Sequence, residues 1–297
     1  MSAVLQTESA VDRLHDALSD LSECEQDVLA RMIAKAKFDE NGRAEIDEVS
    51  IVREFMKSEG GYLQKFDFGD MPPMVKAYPG KPTMQLPKER LALDMSLKQV
   101  LAARRSRRDF RREALDLAVL GTLLESAYGV RHYIGAYETP RFPVRWAPSS
   151  GGLQSVEVYV VAHDVQGLPG GTYYYDAVAS SLVQVDRGLM RRRSVRACLM
   201  QDWTGESAAL LFLTCRLDKL LWKYGRRAYR MAHVDAGIVA EHLHLVATSL
   251  GLGSCMLAGF TEDEVHKLID VDGKREFVAL ALCVGVPAVP MALAEAA

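Results

Sequence analysis

The stretch 221–260, LWKYGRRAYRMAHVDAGIVAEHLHLVATSLGLGSCMLAGF, constrains the fold more than any other part of this 297-residue chain. Apolar residues at Ala232, Ala236, Val239, Leu243, Val246 and Leu250 keep the three-four spacing of one helix face. A second row runs through Val234, Ile238 and Leu245. A helix over 231–250 that is apolar on two faces should be buried on both, which is the place of a central helix. Gly251 stands where a left-handed cap ends such a helix. The chain should then turn through Gly253 to Ala258, Gly259 and Phe260, where small residues let backbone N–H groups approach a ligand. Lys223, Tyr224, Arg226, Arg227, Tyr229 and Arg230 crowd the helix start. Positive charge there opposes the macrodipole, so an anion or some chemistry explains it better than stability does.

Length allows one large domain or two ordinary ones, and 49% apolar residues suffice for a core. A net charge of −3 argues against a general nucleic-acid binder. The charge is uneven. Residues 1–86 carry 10 Lys and Arg against 16 Asp and Glu, and the remainder carries 26 against 23. That fits an acidic accessory module joined to a mildly basic ligand-binding domain. Five cysteines, Cys24, Cys198, Cys215, Cys255 and Cys283, are scattered and never paired as C-x-x-C, as expected of reduced thiols in a cytoplasmic protein. Cys255 reads as a small packed residue more readily than as a nucleophile. No secretory signal pattern and no membrane-spanning apolar run is present, so no membrane partner is expected.

Along the chain, 1–88 reads as a mainly helical acidic module with a proline-rich linker or strap, and 89–297 as the main domain. Helical patterns cover 11–37 and 46–57, around a turn at Asn41-Gly42. Five prolines fall in 70–88. A short helix at 96–104 leads into six arginines between Arg104 and Arg112, with Ser106 inside the run. Arg-Ser-x-Arg offers a hydroxyl and guanidinium forks that suit a phosphate. An amphipathic helix follows at 115–128. The turn from Trp146 through Pro148, Ser149, Ser150, Gly151 and Gly152 lacks the Lys-Ser/Thr ending of a P-loop. A strand at 156–162, a hairpin at 172–185, a basic helix at 191–200 and an apolar strand at 208–214 come next. Thr261 and Glu264 have capping-box spacing, and 277–286 is a last buried strand. The interleaving of hairpins with helices gives an α+β class.

These segments together resemble the nitroreductase-fold flavoproteins and, within them, the SagB-type peptide dehydrogenases. Four motifs in order carry the resemblance over residues 95–290: Arg105-Ser106-Arg107-Arg108; Pro148 through Gly152 with the strand VEVYVV and the hairpin GLPGGTYYYD; Lys223-Tyr224-Gly225-Arg226-Arg227; and Gly251-Leu252-Gly253 through Phe260. The resemblance implies a nitroreductase-like sheet flanked by helices, and a homodimer binding FMN at the subunit interface. By that likeness Arg104, Arg105, Ser106 and Arg108 hold the phosphate and the polar edge of the flavin. Pro148, Ser149, Ser150 and Gly151 lie against the ring, and the backbone of Ala258 and Gly259 faces its N5 and O4 atoms. Two departures stand out. The tail PAVPMALAEAA has no cation after the last strand, and the only asparagine, Asn41, is far from any ribityl site.

The resemblance also implies that Lys223 and Tyr224 act in oxidising a thiazoline or oxazoline to an azole in a ribosomally made peptide. Oxygen would reoxidise the flavin, and a cyclase is a candidate partner. Aromatisation removes a hydride and a proton from neighbouring ring carbons. The flavin takes the hydride, and a base must take the proton. Lysine near pKa 10.4 is a poor base at neutral pH, so nearby Arg226 and Arg227 are expected to lower it. An NAD(P)H-fed nitro or quinone reductase and a non-catalytic scaffold are the alternatives. No metal site is expected, since His242 and His244 face different ways and Glu241 with His244 lacks a third ligand.

Overall fold

The computed structural model describes residues 71–225 and 227–289, together with two short strands, β1 (Lys37–Phe38) and β2 (Ala44–Glu45). The chain divides into two compact units, Met1–Tyr62 and Leu63–Ala297. In the first, β1 and β2 pair antiparallel on either side of residues 39–43, which hold Asn41-Gly42. Lys37 belongs to β1 rather than to the end of a helix. The rest of the helical patterns at 11–37 and 46–57 lies outside the described residues.

The elements of the second unit are, in order, β3 (Thr83–Gln85), α1 (Leu97–Ala103), β4 (Leu115–Asp116), α2 (Leu117–Tyr128), β5 (Val130–Ala136), β6 (Thr139–Arg145), β7 (Val156–Ala162), β8 (Val165–Gln166), β9 (Gly171–Asp176), β10 (Ser181–Arg187), α3 (Arg191–Ala197), α4 (Trp203–Glu206), β11 (Ala209–Arg216), α5 (Asp218–Tyr224), α6 (Arg227–Ser249), β12 (Gly253–Leu257), α7 (Glu262–Ile269) and β13 (Glu276–Gly285). Seven strands form one sheet in the order β12-β13-β11-β7-β9-β10-β3, and every pairing in it is antiparallel. This is the α+β architecture expected. The proline-rich stretch is a strap of this unit: β3 joins the sheet edge, and Gln184 donates its N–H to the Pro82 carbonyl at 2.8 Å. The unit therefore begins before the expected boundary at 88/89.

The central strands are apolar throughout because both faces of the sheet are covered. On β11, Leu211 and Leu213 enter one core with Leu243 and Val239 of α6, while Leu210 and Phe212 enter the other with Val265 and Leu268 of α7. Side chains that alternate across a strand need two apolar layers when neither face meets water. Helix α6 buries Ala232, Ala236, Val239 and Leu243 of its first apolar row fully and Val246 in part, with Leu250 just past its end, but Val234 of the second row is 56% exposed and Ile238 and Leu245 are half-buried. The second face is thus not covered within the described residues.

Three local expectations change. Gly225, at φ 53° and ψ −140°, separates α5 from α6. Lys223 and Tyr224 therefore close α5, where a cation favours the macrodipole, and do not open the central helix. Residues 253–257 form an edge strand instead of a turn, after Gly251 caps α6 at φ 74°. Thr261 precedes α7 but its side chain caps nothing, so the capping box is not formed.

A buried ion pair ties α5 to the sheet. Lys219 Nζ donates to Glu157 Oε1 at 2.6 Å and to the carbonyls of Met74 and Gln154, each at 2.9 Å. Both side chains are inaccessible, and Arg216 and Tyr174 also reach Glu157. Burial pushes Lys219 down to about 8 against the pull of Glu157. Glu157→Gln should therefore cost about 3–5 kcal/mol, since it strands a buried cation, and Glu157→Gln with Lys219→Met should recover part of it. Urea unfolding of the two variants checks this, and equal losses would contradict it.

Candidate active site

The serine-glycine turn is built onto α6 by one carboxylate. Asp235 is buried and accepts from the Ser150 N–H (2.9 Å), the Ser150 hydroxyl (2.9 Å) and the Ser155 hydroxyl (3.0 Å). Burial raises its pKa despite these donors. Ser149 points inward, its hydroxyl accepting from the Gln154 N–H at 3.0 Å, and Pro148 is exposed. Gly151 takes φ 60° and Gly152 φ 70°, a region that only glycine enters without cost. Asp235 was not singled out from the sequence, where it reads as one polar residue in an apolar helix.

Three hydroxyl and amine groups converge on Gly151. A Cβ built there would stand 2.3 Å from Tyr224 Oη, 3.1 Å from Lys223 Nζ and 3.3 Å from Tyr137 Oη. Lys223 Nζ donates to Tyr137 Oη at 2.6 Å, and Tyr137 Oη donates to the Gly151 carbonyl at 2.5 Å. The structure thus brings Lys223 and Tyr224 together with Gly151, and adds Tyr137. Lys223 does not have the lowered pKa expected of it. Partial burial works downward, but the Tyr137 hydrogen bond, with Tyr137 and Tyr224 close by, outweighs it and leaves the amine above the ordinary lysine value. Arg226, one of the two arginines expected to lower it, lies outside the described residues.

The arginine run lies elsewhere. It follows β12: Ser106 bridges Ser254, and Arg107 donates its N–H to the Ser254 carbonyl at 2.9 Å. Arg104 caps α1. The Arg105 guanidinium folds back onto the carbonyls of Ala102 (3.0 Å) and Arg104 (2.8 Å). Arg108 is exposed, 5.6 Å over the Trp203 ring. Arg107, which the sequence reading passed over, is half-buried, and its Nε has no hydrogen-bond partner. Ser254 Oγ is buried and makes no hydrogen bond in the same neighbourhood, whereas buried His244 Nδ1 lies 4.0 Å from the Glu241 carboxylate and His244 Nε2 3.3 Å from the Arg105 carbonyl. Ala258 and Gly259 leave the end of β12, with the Gly259 carbonyl accepting from Gln201 at 2.9 Å.

Two clusters result. Asp235 holds the turn and His244 faces the arginines. They are nine residues apart on α6, about two and a half turns and about 13 Å along the axis. They therefore lie on opposite flanks of the helix, and one chain does not bring the clusters together. Among the described residues no group of histidines, cysteines and carboxylates could hold a metal, and burial raises the Cys255 thiol instead of activating it.

Residues 101–286 match the Nitroreductase family, and the chain belongs to it. Its relatives include a Methanocaldococcus jannaschii protein named as a nitroreductase, 29% identical over 65% of this chain and 91% of that one. They also include the microcin B17-processing protein McbC of Escherichia coli, 28% identical over 42% of this chain; the match spans about half of McbC, 48%. The E. coli microcin synthetase McbBCD complex with truncated pro-MccB17 bound shares the fold, with a TM-score of 0.53 and 21% identity over 71% of this chain and 83% of that one.

Gly151→Ala should displace the Tyr224 hydroxyl and destabilise the fold by about 1–2 kcal/mol, the cost of a left-handed non-glycine residue. A crystal structure and a melting curve check both. An undisturbed Tyr224 would refute the convergence.

Proposed function

We propose that this protein is an FMN-dependent oxidoreductase that dehydrogenates thiazoline or oxazoline rings to azoles in a ribosomally made peptide. The observation that carries this reading is the convergence of Lys223, Tyr224 and Tyr137 on Gly151. It puts an amine and two hydroxyls together at an exposed turn. The likeness to McbC, a microcin-processing protein, supports a peptide as substrate, and a cyclase is the partner that would supply its rings.

The arginine edge fits FMN. Two buried polar atoms make no hydrogen bond, Arg107 Nε in the arginine run and Ser254 Oγ on the strand it pairs with. Each such atom costs about 1–3 kcal/mol until something pairs with it, and a phosphate or a flavin edge offers acceptors. Arg104, Arg105, Ser106, Arg107 and Arg108 would hold the polar parts of the cofactor, with Ala258 and Gly259 along the same strand. When bound, FMN supplies the hydride acceptor for the oxidation. The position of Pro148, Ser149, Ser150 and Gly151 on the other flank of α6 supports a homodimer. So does the uncovered Val234 row.

The protein's own part is the proton. Tyr224 and Lys223 flank the place where the ring proton is lost, with Lys223 as its acceptor once deprotonated. Because Lys223 is held above the ordinary lysine value, its base form grows with pH throughout the neutral range. kcat/KM reports the free enzyme, so it should rise from about pH 7 to about pH 9.5 without a plateau. Lys223→Ala should abolish that slope.

Lys223→Ala and Tyr224→Phe should stay yellow and lose azoline oxidation by about 10²–10⁴-fold, the usual contribution of acid–base groups. Wild-type rates in the double variant would overturn the reading in favour of a general reductase. Arg107→Ala should lose flavin while remaining folded. Absorbance at the flavin band against circular dichroism measures this, and full flavin content would remove the arginine edge as the cofactor site.

A further inference from the structure

We propose that Tyr137 is a positioning residue for Lys223, its hydroxyl holding the amine at the Gly151 carbonyl in the charged form. This deepens the reading of Lys223 as the group that takes the ring proton, and rests on it.

A tyrosine hydroxyl has one proton to give and lone pairs to accept with. The Tyr137 proton goes to the Gly151 carbonyl at 2.5 Å. Toward Lys223, at 2.6 Å, the same oxygen can therefore only accept. An acceptor that close favours ammonium over amine. Among the described residues this hydrogen-bonded chain ends at a carbonyl, which passes no proton on, so it is no relay. Tyr137 sets where the amine sits and how readily it gives up its proton.

The backbone is built for this contact. Tyr137 and Glu138 are the two turn residues between β5 and β6, with Ala136 paired to Thr139. Both take positive φ, 51° and 56°. Turns of that shape ordinarily carry Asn-Gly, and a tyrosine there is an outlier of the kind that points to function. Its ring is clamped by Phe142, centroids 5.2 Å apart, and edge-on by Trp222 at 5.9 Å. Trp222 belongs to α5, which also carries Lys223, so hairpin and helix are locked at this one ring. Among the described residues, the titratable groups facing Lys223 are the Tyr137 hydroxyl from the hairpin and the Tyr224 hydroxyl from its own helix. Asp235 on α6 turns its carboxylate to Ser150 and Ser155 instead.

Competitive acetylation with acetic anhydride, read by mass spectrometry across pH, follows the Lys223 amine in the holoprotein without substrate. In Tyr137→Phe the labelling curve should move to lower pH and the reactivity at neutral pH should rise several-fold. Phe142→Leu loosens the same ring but keeps the hydroxyl, and should leave the curve in place. A Tyr137→Phe curve that overlays wild type overturns the proposal, as does a shift of equal size in Phe142→Leu. If Tyr137→Phe does not fold, Tyr137→Met keeps apolar bulk without the hydroxyl and should move the curve the same way; no movement is then the overturning result. Azoline oxidation separates the two claims. A Lys223→Ala variant that oxidises azolines unimpaired removes the reading of the site, and with it the catalytic meaning of the Tyr137 contact. A labelling shift together with lost oxidation upholds both.

Discussion

The buried carboxylate of Asp235 is the contact on which the rest of the site depends. A carboxylate out of water must be met by donors or neutralised. Here the donors are one N–H and two hydroxyls from a single turn, Ser150 and Ser155. The turn is therefore fixed to α6 at both of its ends. Gly151 hangs between them with its carbonyl and Cα presented outward, toward Tyr137, Tyr224 and Lys223. Helix α6 is itself fixed by burial of Ala232, Ala236, Val239 and Leu243 against the sheet. Packing thus sets the helix, the helix sets one acid, and the acid sets the turn.

The other side of the site is fixed by the opposite charge. Lys219 spans from α5 to Glu157 on β7, to the Gln154 carbonyl beside the turn, and to the Met74 carbonyl in the strap. Lys223 follows four residues later and so stands on the same helix face, one turn on. The buried lysine anchors the helix and the half-buried one stands at its end. Their pKa values move in opposite directions for that reason. Burial drives Lys219 down, while at Lys223 water still reaches the amine and the hydroxyl of Tyr137 prevails. Nothing in the spacing of the two lysines along the sequence marks which is enclosed.

What could be read from the sequence was what depends on periodicity and on local chemistry. The three-four spacing placed α6 within four residues of its start, and the alternation of 156–162 placed β7 to the residue. The α+β class followed from the order of such segments. What could not be read depends on tertiary contact. Strands β5 and β6 meet at Tyr137-Glu138, which has no turn signature, and β5 is exposed along most of its length, so neither pattern nor turn chemistry marks the hairpin. Gly225 looked like one residue of a charged helix start, but its positive φ makes it the break that assigns Lys223 to α5. The sign of the Lys223 shift was misjudged for the same reason. It was argued from neighbours in sequence, and the neighbour that decides it lies 86 residues away.

The arginine edge shows how a run of charge can be sorted once its surroundings are known. Arg105 satisfies its guanidinium on carbonyls at the end of its own helix, and Arg108 rests over Trp203 in solvent. Neither arrangement requires a ligand. Arg107 differs, because its Nε is enclosed and makes no hydrogen bond, as is true of Ser254 Oγ on β12. Folding buries these two atoms at a cost that no hydrogen bond among the described residues recovers. A bound acceptor recovers it, and an anion recovers most, since charge-assisted hydrogen bonds are about twice as strong as neutral ones.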